Sequence, residues 1–304
     1  MAHLRIAVFG AGAVGSYYGA MLARAGHSVS LIGRPAHCAA FQQHGVRLQT
    51  ADSDACYPVT AATDAAAVAE ADWVFLCVKS ADTEAAGHAM APHLGPNCGL
   101  LCLQNGVDNA ARLRAVVPQH AVASAVVYVA TEMVGPGHVR HHGRGELLLE
   151  STAATRALAP LLQAAGIPVA LSENALGALW MKLILNCAYN ALSAITQLPY
   201  GPLVTSVGVV DTMRDVVAEC LQVAQAEGVQ LDGDIDAAVS RIAESMPTQF
   251  SSTAQDLARG KPSEIDYLNG LVVRRGAHWG IATPANRALW ALVKALESQH
   301  RPVA

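Results

Sequence analysis

The chain has 304 residues, 52% of them apolar and 14% charged, so it is long enough for two domains and can bury a sizeable core. Its formal net charge of −4 and the lack of a basic run give no reason to expect nucleic acid or an anionic membrane as a partner. Because no uninterrupted apolar stretch reaches transmembrane length and no signal peptide is recognisable, we expect a cytoplasmic protein.

The first predicted strand leads directly into a glycine-rich turn. A short apolar run, IAVF, is followed by Gly10, Gly12 and Gly15 in the spacing G-x-G-x-x-G, and a helical pattern comes next. The first glycine permits a tight turn, the second lets a pyrophosphate approach bare backbone, and the third lets the helix lie close to the sheet. A plain glycine-rich turn is the alternative. We predict a dinucleotide-binding site whose contacts come from Gly10, Ala11, Gly12, Ala13, Val14 and Gly15.

The second predicted strand, residues 27–32, ends at Gly33 and Arg34. In a βαβ unit this strand end lies beside the adenosine ribose, where an acidic residue is typical of NAD binding. Here Gly33 removes side-chain bulk and Arg34 offers a guanidinium suited to a 2′-phosphate. The pattern therefore predicts NADPH rather than NADH, with an exposed surface arginine as the alternative.

Two further strands end in polar residues. Residues 73–78 form a continuous apolar run, typical of a parallel strand buried on both faces, and Lys79 follows it. Residues 99–103 repeat this arrangement, and Asn105 follows them. Because ligands bind at the carboxyl ends of parallel strands, we expect both side chains beside the cofactor. Simple strand termination at Lys79 and a turn at Asn105 are the alternatives.

The other strands of the first half are predicted at residues 46–49, 57–60, 121–131, 137–142 and 146–150. His138, His141 and His142 invite a metal site, but no carboxylate or thiolate pattern accompanies them, and alternation places the last two on opposite faces of a strand. The seven cysteines are scattered and never spaced C-x-x-C, so we interpret them as reduced core residues. We predict no metal.

The hydrophobic period becomes helical near Asn174 and stays helical to the end. The sequence thus predicts an α/β N-terminal Rossmann domain with a doubly wound, mostly parallel sheet, residues 1–172, followed by an all-α C-terminal domain, residues 173–304. The apolar helix predicted over residues 209–226 is either core or dimer surface, so a monomer and a homodimer both stay open.

The helix predicted over residues 178–193 is apolar nearly all round and carries one polar stripe. Lys182, Asn186, Asn190 and Ser193 recur at i, i+4, i+8 and i+11, which places them on one face. Burying such a stripe is costly unless it lines a cavity that holds a polar ligand. The alternative is a lysine that reaches solvent or a carboxylate, with asparagines that cap loop backbone.

A second polar cluster contains Glu264. Ser263 and Asp266 have the spacing of a capping box that opens a new helix and places Glu264 in its first turn. An acid near a positive helix end needs no functional explanation, so spacing alone leaves both readings of Glu264 open.

Several segments, taken in order, resemble the ketopantoate reductases, also called 2-dehydropantoate 2-reductases. They are G-A-G-A-V-G at 10–15, V-K at 78–79, Q-N-G at 104–106, K-x-x-x-N-x-x-x-N at 182–190, S-S-x-x-Q-D at 251–256, E-I-D-Y-L-N-G at 264–270 and G-I-x-T-P at 280–284. The resemblance runs over essentially the whole chain. It implies a Rossmann domain and an all-helical domain with substrate in the cleft between them, and NADPH as hydride donor.

The resemblance also implies residue roles. Lys182 matches the family's catalytic lysine, the general acid toward the carbonyl oxygen, and Glu264 matches the acid that hydrogen-bonds the substrate and assists catalysis. Hydride addition to a 2-oxo acid builds negative charge on that oxygen, which an ammonium stabilises and then protonates. Substrate contacts fall on Asn105, Asn186, Asn190 and Ser252, and cofactor contacts on the glycine-rich turn, Arg34, Lys79, Asn105 and Glu264.

The implied activity is NADPH-dependent reduction of 2-dehydropantoate to (R)-pantoate, a step toward pantothenate and coenzyme A. Tyr200 departs from the family pattern, because many members carry a Pro-Asn-Gly-like turn there, and we expect the bulkier ring to narrow or reshape the pocket. A related reductase of another 2-oxo acid is therefore the first alternative. A non-catalytic NADP-binding redox sensor is the second, and it would need neither Lys182, Asn186 nor Glu264.

Overall fold

The computed structural model describes residues 3–299; residues 1–2 and 300–304, which the predicted domain ranges include, lie outside the described residues. The chain forms two compact units, one ending at Ala175 and the other beginning at Leu176. The domain boundary predicted after residue 172 stays a prediction at that level of detail.

Within the described residues, the first unit contains one ten-stranded sheet. Its strands are β1 Arg5–Phe9, β2 Ser28–Ile32, β3 Val46–Gln49, β4 Asp54–Tyr57, β5 Thr60–Ala62, β6 Trp73–Leu76, β7 Gly99–Cys102, β8 Val122–Gly135, β9 His138–Glu150 and β10 Val169–Ser172. The strand order is β4-β3-β9-β8-β7-β6-β1-β2-β5, and β10 pairs with β9. From β5 to β8 all neighbours are parallel, in the order of a doubly wound dinucleotide-binding sheet.

Helices cover this sheet, so its central strands are buried on both faces. They are α1 Ala13–Arg24, α2 Pro35–His44, α3 Thr83–Met90, α4 Asn109–Val116 and α5 Ala153–Ala164, with short 3₁₀ turns at Ala65–Val68 and Ser80–Asp82. Successive residues belong to opposite hydrophobic clusters: Phe75 packs in one, and its neighbours Val74 and Leu76 pack in the other. Double burial explains why these strands read as continuous apolar runs.

Two strand predictions were wrong in detail. Residues 57–60 are not a strand, because β4 ends at Tyr57 and β5 begins at Thr60; Pro58, between them, has no N–H for a sheet. Residues 137–142 and 146–150 are not two strands joined by a turn, because β9 continues from His138 to Glu150. Gly143 and Gly145 have positive φ, and the pairing with β8 shifts register there, so the glycines form irregularities inside the strand.

The second unit is helical, and between residues 176 and 299 the structure contains no strand. Its helices are α6 Ala175–Thr196, which begins one residue before the unit, α7 Tyr200–Val204, α8 Val209–Ala226, α9 Ile235–Ser245, α10 Ser252–Ala258, α11 Asn269–His278 and α12 Pro284–Gln299, with a 3₁₀ turn at Ile265–Tyr267. The buried face of α8 includes Met213, Val216 and Val223, so this apolar face is core. The predicted fold class is confirmed.

Among the residues searched, 3–299, α6 is one helix with the length and composition of a membrane span. The sequence led us to expect no apolar stretch of transmembrane length, and α6 meets the length and composition of one. In the structure 67% of its most apolar window is buried, as in a core helix of a folded domain, and such a match is weak evidence for a membrane segment.

Candidate active site

The glycine-rich turn joins β1 to α1 at the carboxyl edge of the parallel strands. Gly10 has a φ of +107°, and a Cβ there would lie 2.5 Å from the backbone nitrogen of Val78. A Cβ at Gly15 would overlap the carbonyl oxygen of Gly10 and would lie 2.8 Å from Cγ1 of Val8. Both positions therefore require glycine, the first for the turn and the third for close packing of α1 on β1.

Gly12 differs from the other two glycines, because a Cβ there would meet no protein atom within 4 Å. It is the N-cap residue of α1, no side chain caps this helix end, and its first turn contains no acid. An uncapped helix N-terminus beside open space offers N–H groups to an anion. These features fit the pyrophosphate of a dinucleotide.

The end of β2 lies directly beside this turn. The carbonyl oxygen of Ile32 accepts hydrogen bonds from the N–H groups of Gly10 and Ala11, each at 2.9 Å. Gly33 follows, where a Cβ would lie only 3.0 Å from the Cβ of Ala11. Arg34 comes next as the N-cap residue of α2, and it is exposed. A guanidinium is thus available at the strand end where a ribose would lie.

Lys79 and Asn105 follow β6 and β7, and a hydrogen bond joins their loops. The Ser80 hydroxyl, next to Lys79, donates to the carbonyl oxygen of Asn105 at 2.9 Å, and the amide of Asn109 donates to the same oxygen at 2.7 Å. Both loops lie at the carboxyl edge that carries the glycine-rich turn, because the N–H of Cys77 donates to the carbonyl oxygen of Phe9 at the end of β1.

A buried polar network behind these loops was not predicted. Thr83 donates to Asn109 at 2.9 Å and accepts from the Gln104 amide at 2.7 Å, and all three side chains are buried. Arg112 donates to the Ser80 carbonyl oxygen at 2.8 Å and pairs with Glu84. The proximity of Ser80 to Lys79 was the available signal. Spacing alone does not show that the side chains of Ser80 and Asn109 both donate to the carbonyl oxygen of Asn105.

Cys77 lies beside the glycine-rich turn without the properties of a nucleophile. Burial raises the pKa of its thiol far above the ordinary range, with a smaller contribution from Cys102. The thiol therefore stays protonated at neutral pH, and the thiolate is the reactive form of cysteine. Cys77 is best interpreted as a packing residue.

The polar stripe of α6 divides into two parts. Lys182 and Asn186 are half-buried, whereas Asn190 and Ser193 are buried. The Ser193 hydroxyl donates to the carbonyl oxygen of Leu198 at 2.8 Å and accepts from the N–H of Ser251 at 3.3 Å. Ser193 therefore caps loop backbone, which was the structural alternative, and the functional interpretation is kept for the other three residues.

Ser251 brings the second polar cluster to α6. Its hydroxyl donates to the carbonyl oxygen of Asn190 at 3.1 Å and accepts from the N–H of Ala254 at 3.0 Å, so it also caps α10. Ser252 is the first residue of α10 and is exposed. Ser252 therefore lies next in sequence to Ser251, the residue that contacts the backbone of Asn190.

The capping box predicted at Ser263 and Asp266 was wrong. Residues 265–267 form a 3₁₀ turn whose N-cap residue is Glu264, and α11 begins only at Asn269. The Ser263 hydroxyl accepts from the N–H of Ile265 at 3.2 Å and donates to a carboxylate of α12. The Asp266 side chain also bonds to α12 rather than to Ser263. Contacts distant in sequence outweigh the local cap.

Glu264 is half-buried and lies in a segment tied to α6. The amide of Asn269, five residues on, donates to the carbonyl oxygen of Cys187 on α6 at 3.2 Å and to Oδ1 of Asn286 at 2.9 Å. Asn286 in turn donates to the buried carboxylate of Glu219 at 2.8 Å. This network fixes the start of α11 against the helix that carries Lys182.

An ion cluster lies next to Glu264. Burial is the largest single influence on Asp266 and Glu297 and opposes their ionisation. Hydrogen bonds from Lys294, together with those from Trp290 to Asp266 and from Ser263 to Glu297 and the charge of Lys294, outweigh it and hold both carboxyl pKa values below their ordinary range. Burial likewise opposes charge on Lys294, and its hydrogen bonds to the two carboxylates raise its pKa. All three groups are charged at neutral pH.

The ring of Tyr200 packs in the interior of the helical unit. It meets Tyr189 edge-on with 4.9 Å between ring centroids, and its exposure is 9%. Burial raises the pKa of its hydroxyl far above the ordinary range. The ring therefore packs α7 on α6, and its effect on the substrate pocket stays a prediction.

The histidines of β9 have separate contacts. His141 stacks on Tyr17 with 4.6 Å between ring centroids, and His142 lies 3.1 Å from a carboxylate oxygen of Glu132. Among residues 3–299, no group of three or more potential metal ligands was found. The cysteines are free thiols, and all are at least partly buried except Cys56, which is exposed.

The predicted site residues therefore form two sets. The first unit brings the glycine-rich turn, Arg34, Lys79 and Asn105 to one edge of its sheet. The second unit carries Lys182, Asn186 and Asn190 on one helix, Ser252 beside that helix, and Glu264 in a segment fastened to it. The first set can hold a nucleotide, and the second can present an ammonium, amides and a carboxylate to an oxyacid.

Comparison with known proteins agrees with this division. The family model described as "Ketopantoate reductase PanE/ApbA" matches residues 6–154, and "Ketopantoate reductase PanE/ApbA C terminal" matches residues 174–297. A 2-dehydropantoate 2-reductase of Halobacterium salinarum is 32% identical over 301 residues, covering 96% of this chain and 98% of that protein.

Solved structures give the same result. A PanE/ApbA family ketopantoate reductase from Ralstonia eutropha JMP134 is 60% identical with a TM-score of 0.95, covering 98% of this chain and 99% of that one. A D-mandelate dehydrogenase solved with NADH and anilino(oxo)acetate is 26% identical with a TM-score of 0.90, covering 98% and 99%.

Proposed function

The chain belongs to the ketopantoate reductase family, and we propose that it catalyses the NADPH-dependent reduction of 2-dehydropantoate to (R)-pantoate, a step toward pantothenate and coenzyme A. The observation that carries the proposal is in the helical unit. There, Lys182 and Asn186 share one face of α6, and Asn269 fastens the segment containing Glu264 to that helix. A nucleotide-binding protein without a reaction would need none of these residues.

The cofactor site belongs to the first unit. The uncapped N-terminus of α1 at Gly12 would bind the pyrophosphate, and Arg34 would bind a 2′-phosphate. Lys79 and Asn105 are placed by their strands at the same edge, where a nicotinamide cofactor would lie. NADPH, when bound, supplies the hydride. The NADH in the D-mandelate dehydrogenase structure supports a nicotinamide cofactor for this fold, and Arg34 is our reason for choosing the phosphorylated form.

The residues of the second set, with Asn105 of the first set, would act on the substrate. Asn105, Asn186, Asn190 and Ser252 would donate hydrogen bonds to the carboxylate and hydroxyl groups of the 2-oxo acid. As the carbonyl is reduced, negative charge builds on its oxygen, and the Lys182 ammonium would stabilise that charge and then donate a proton to it. Glu264 would orient the substrate through a hydrogen bond from a substrate hydroxyl.

A reductase of another 2-oxo acid is the second candidate, and one finding favours it. D-Mandelate dehydrogenase shares the fold over nearly the whole chain at 26% identity, so this architecture also serves an aromatic acid. The 60% identity to the Ralstonia eutropha ketopantoate reductase favours 2-dehydropantoate. Tyr200, whose ring packs on Tyr189, stays the position at which the chain departs from the family pattern.

The test is NADPH oxidation by the purified protein with 2-dehydropantoate and, in parallel, with other 2-oxo acids that include phenylglyoxylate, the oxidised form of mandelate. We expect a higher kcat/KM for 2-dehydropantoate than for the other acids. A preference for phenylglyoxylate would support the second candidate. NADPH binding without turnover of any acid would support a sensor instead.

A further inference from the structure

The segment that carries Glu264 has little regular structure of its own. Glu264 precedes the 3₁₀ turn Ile265–Tyr267, and its carbonyl oxygen accepts a hydrogen bond from the N–H of Tyr267 at 2.8 Å. Such a turn has poorer hydrogen-bond geometry than an α-helix and is short. The position of the Glu264 backbone, from which its carboxylate extends, therefore depends on the contacts on either side of it.

Helix α12 holds both sides. On one side, the N–H and hydroxyl of Ser263 donate to Oε1 of Glu297 at 2.8 and 2.7 Å. On the other side, Oδ1 of Asp266 accepts from Nε1 of Trp290 at 2.7 Å, and Oδ2 accepts from Nζ of Lys294 at 2.8 Å. Residues 290, 294 and 297 follow each other at i, i+4 and i+7, so they share one face of α12.

Lys294 joins the two sides. Its Nζ lies 2.8 Å from Oδ2 of Asp266 and 2.8 Å from Oε2 of Glu297, whose side chain is only 6% exposed. Without this ammonium, two carboxylates would face each other, one of them buried, and a buried charge that loses its partner is strongly destabilising. The carboxylates would then separate or bind protons, and the contacts of α12 to the Ser263 backbone and to the Asp266 side chain would weaken.

We propose that Lys294 is a positioning residue for Glu264: through Asp266 and Glu297 it fixes the backbone on both sides of that carboxylate. The inference rests on the proposed function, in which Glu264 orients the substrate. Lys294 needs no contact with substrate or cofactor for this role. We call the contacts of Ser263 and Asp266 with Trp290, Lys294 and Glu297 of α12 the clasp. Misplacement of a catalytic group by about 1 Å can cost roughly 100-fold in rate, so loss of the clasp should have a measurable effect on turnover.

The test is a double-mutant cycle with Lys294→Met and Glu264→Gln, measured as kcat/KM for NADPH-dependent reduction of 2-dehydropantoate. We expect Lys294→Met to lower kcat/KM about 10-fold or more in the wild-type background and to have no further effect in the Glu264→Gln background, because coupled residues are non-additive. Lys294→Arg keeps a cation within reach of both carboxylates and should restore most of the activity. Lys261→Met, which removes an exposed lysine of the same unit, should leave activity unchanged.

The outcomes separate this inference from the proposed function. An equal loss in both backgrounds, with Glu264→Gln itself impaired, overturns only the positioning role. Full activity of Glu264→Gln contradicts the role of Glu264 and overturns the inference with it. If Lys294→Met does not fold, Ser263→Ala provides a second variant, because it removes the hydroxyl contact to Glu297. We then expect a smaller loss of kcat/KM, again seen with Glu264 present and absent in the Glu264→Gln background.

Discussion

At the residue scale, Arg34 decides the choice of cofactor in our proposal. We expect Arg34→Ala to weaken NADPH binding roughly 10-fold to 100-fold, because a hydrogen bond between charged groups contributes about 1.5–3 kcal/mol. NADH binding should not change, since NADH lacks the 2′-phosphate. Fluorescence titration of each dinucleotide measures both affinities. Equal losses for NADPH and NADH would mean that Arg34 does not contact the phosphate.

Residue identity alone did not settle every role. Ser193 belongs to the stripe of Lys182 by spacing, yet its hydroxyl caps the backbone at Leu198. Ser263 and Asp266 have capping-box spacing, yet both bind side chains of α12. A hydroxyl or carboxylate satisfies the partner that the fold brings near, and partners distant in sequence leave no local signal. Glycine is more predictable, because a position without space for a Cβ excludes every other residue.

At the element scale, the strand–turn–helix unit permits a matched pair of substitutions. Gly15→Ala should lower thermal stability, because its methyl group would overlap backbone and Cγ1 of Val8. Gly12→Ala should leave stability nearly unchanged, because its methyl group meets no protein atom within 4 Å, but should weaken NADPH binding by filling the space for the pyrophosphate. Thermal unfolding and NADPH titration of both variants test this. Unchanged NADPH affinity in Gly12→Ala would place the cofactor elsewhere.

The clasp between the 3₁₀ turn and α12 makes stability depend on pH. Because the pKa values of Asp266 and Glu297 are lowered in the folded state, their contribution is present above the ordinary values of 3.8 and 4.5 and is lost as pH falls through the lowered values. The pKa of Lys294 is raised, so its contribution is complete below 10.5 and is lost only as pH rises through the raised value.

This titration gives a prediction for Lys294→Met. We expect the variant to have a lower free energy of unfolding than the wild type at about pH 7. The difference should be smaller at about pH 3, which lies below the ordinary carboxyl values of 3.8 and 4.5 and within the range where the contribution of the two carboxylates is being lost. Urea unfolding at both pH values measures it. A difference that is the same at both pH values would show that Lys294 stabilises the fold through packing rather than charge.

Much of the element pattern was predictable, and the exceptions have physical reasons. Double burial made the strands ending at Leu76 and Cys102 readable as apolar runs, and α8 was placed at Val209–Ala226 by its period. The continuous strand β9 was not predictable, because Gly143 and Gly145 resemble turn residues. Glycines can form a turn between two strands or a bulge within one strand, and only the pairing with the neighbouring strand shows which of these occurs.

At the scale of the whole molecule, ligand binding and folding are linked. NADPH that binds only the folded chain should stabilise it by about 2.7 kcal/mol at a concentration 100 times its Kd. For a unit of this size that corresponds to an increase in Tm of roughly 5–10 °C. A thermal shift assay measures it, with Arg34→Ala as the matched variant in which the shift should require more NADPH. No shift in the wild type would contradict cofactor binding by the folded protein.

In our proposal, the first unit binds the cofactor and the second unit supplies the general acid, Lys182. The most direct test is single-turnover NADPH oxidation with 2-dehydropantoate in the wild type and in Lys182→Ala, with NADPH affinity measured separately. We predict a rate lowered about 100-fold or more in the variant, because general acid catalysis contributes roughly 10²–10⁴-fold, with unchanged NADPH affinity. An undiminished rate in Lys182→Ala, or a loss explained fully by weaker NADPH binding, would contradict the assignment of Lys182 as the general acid.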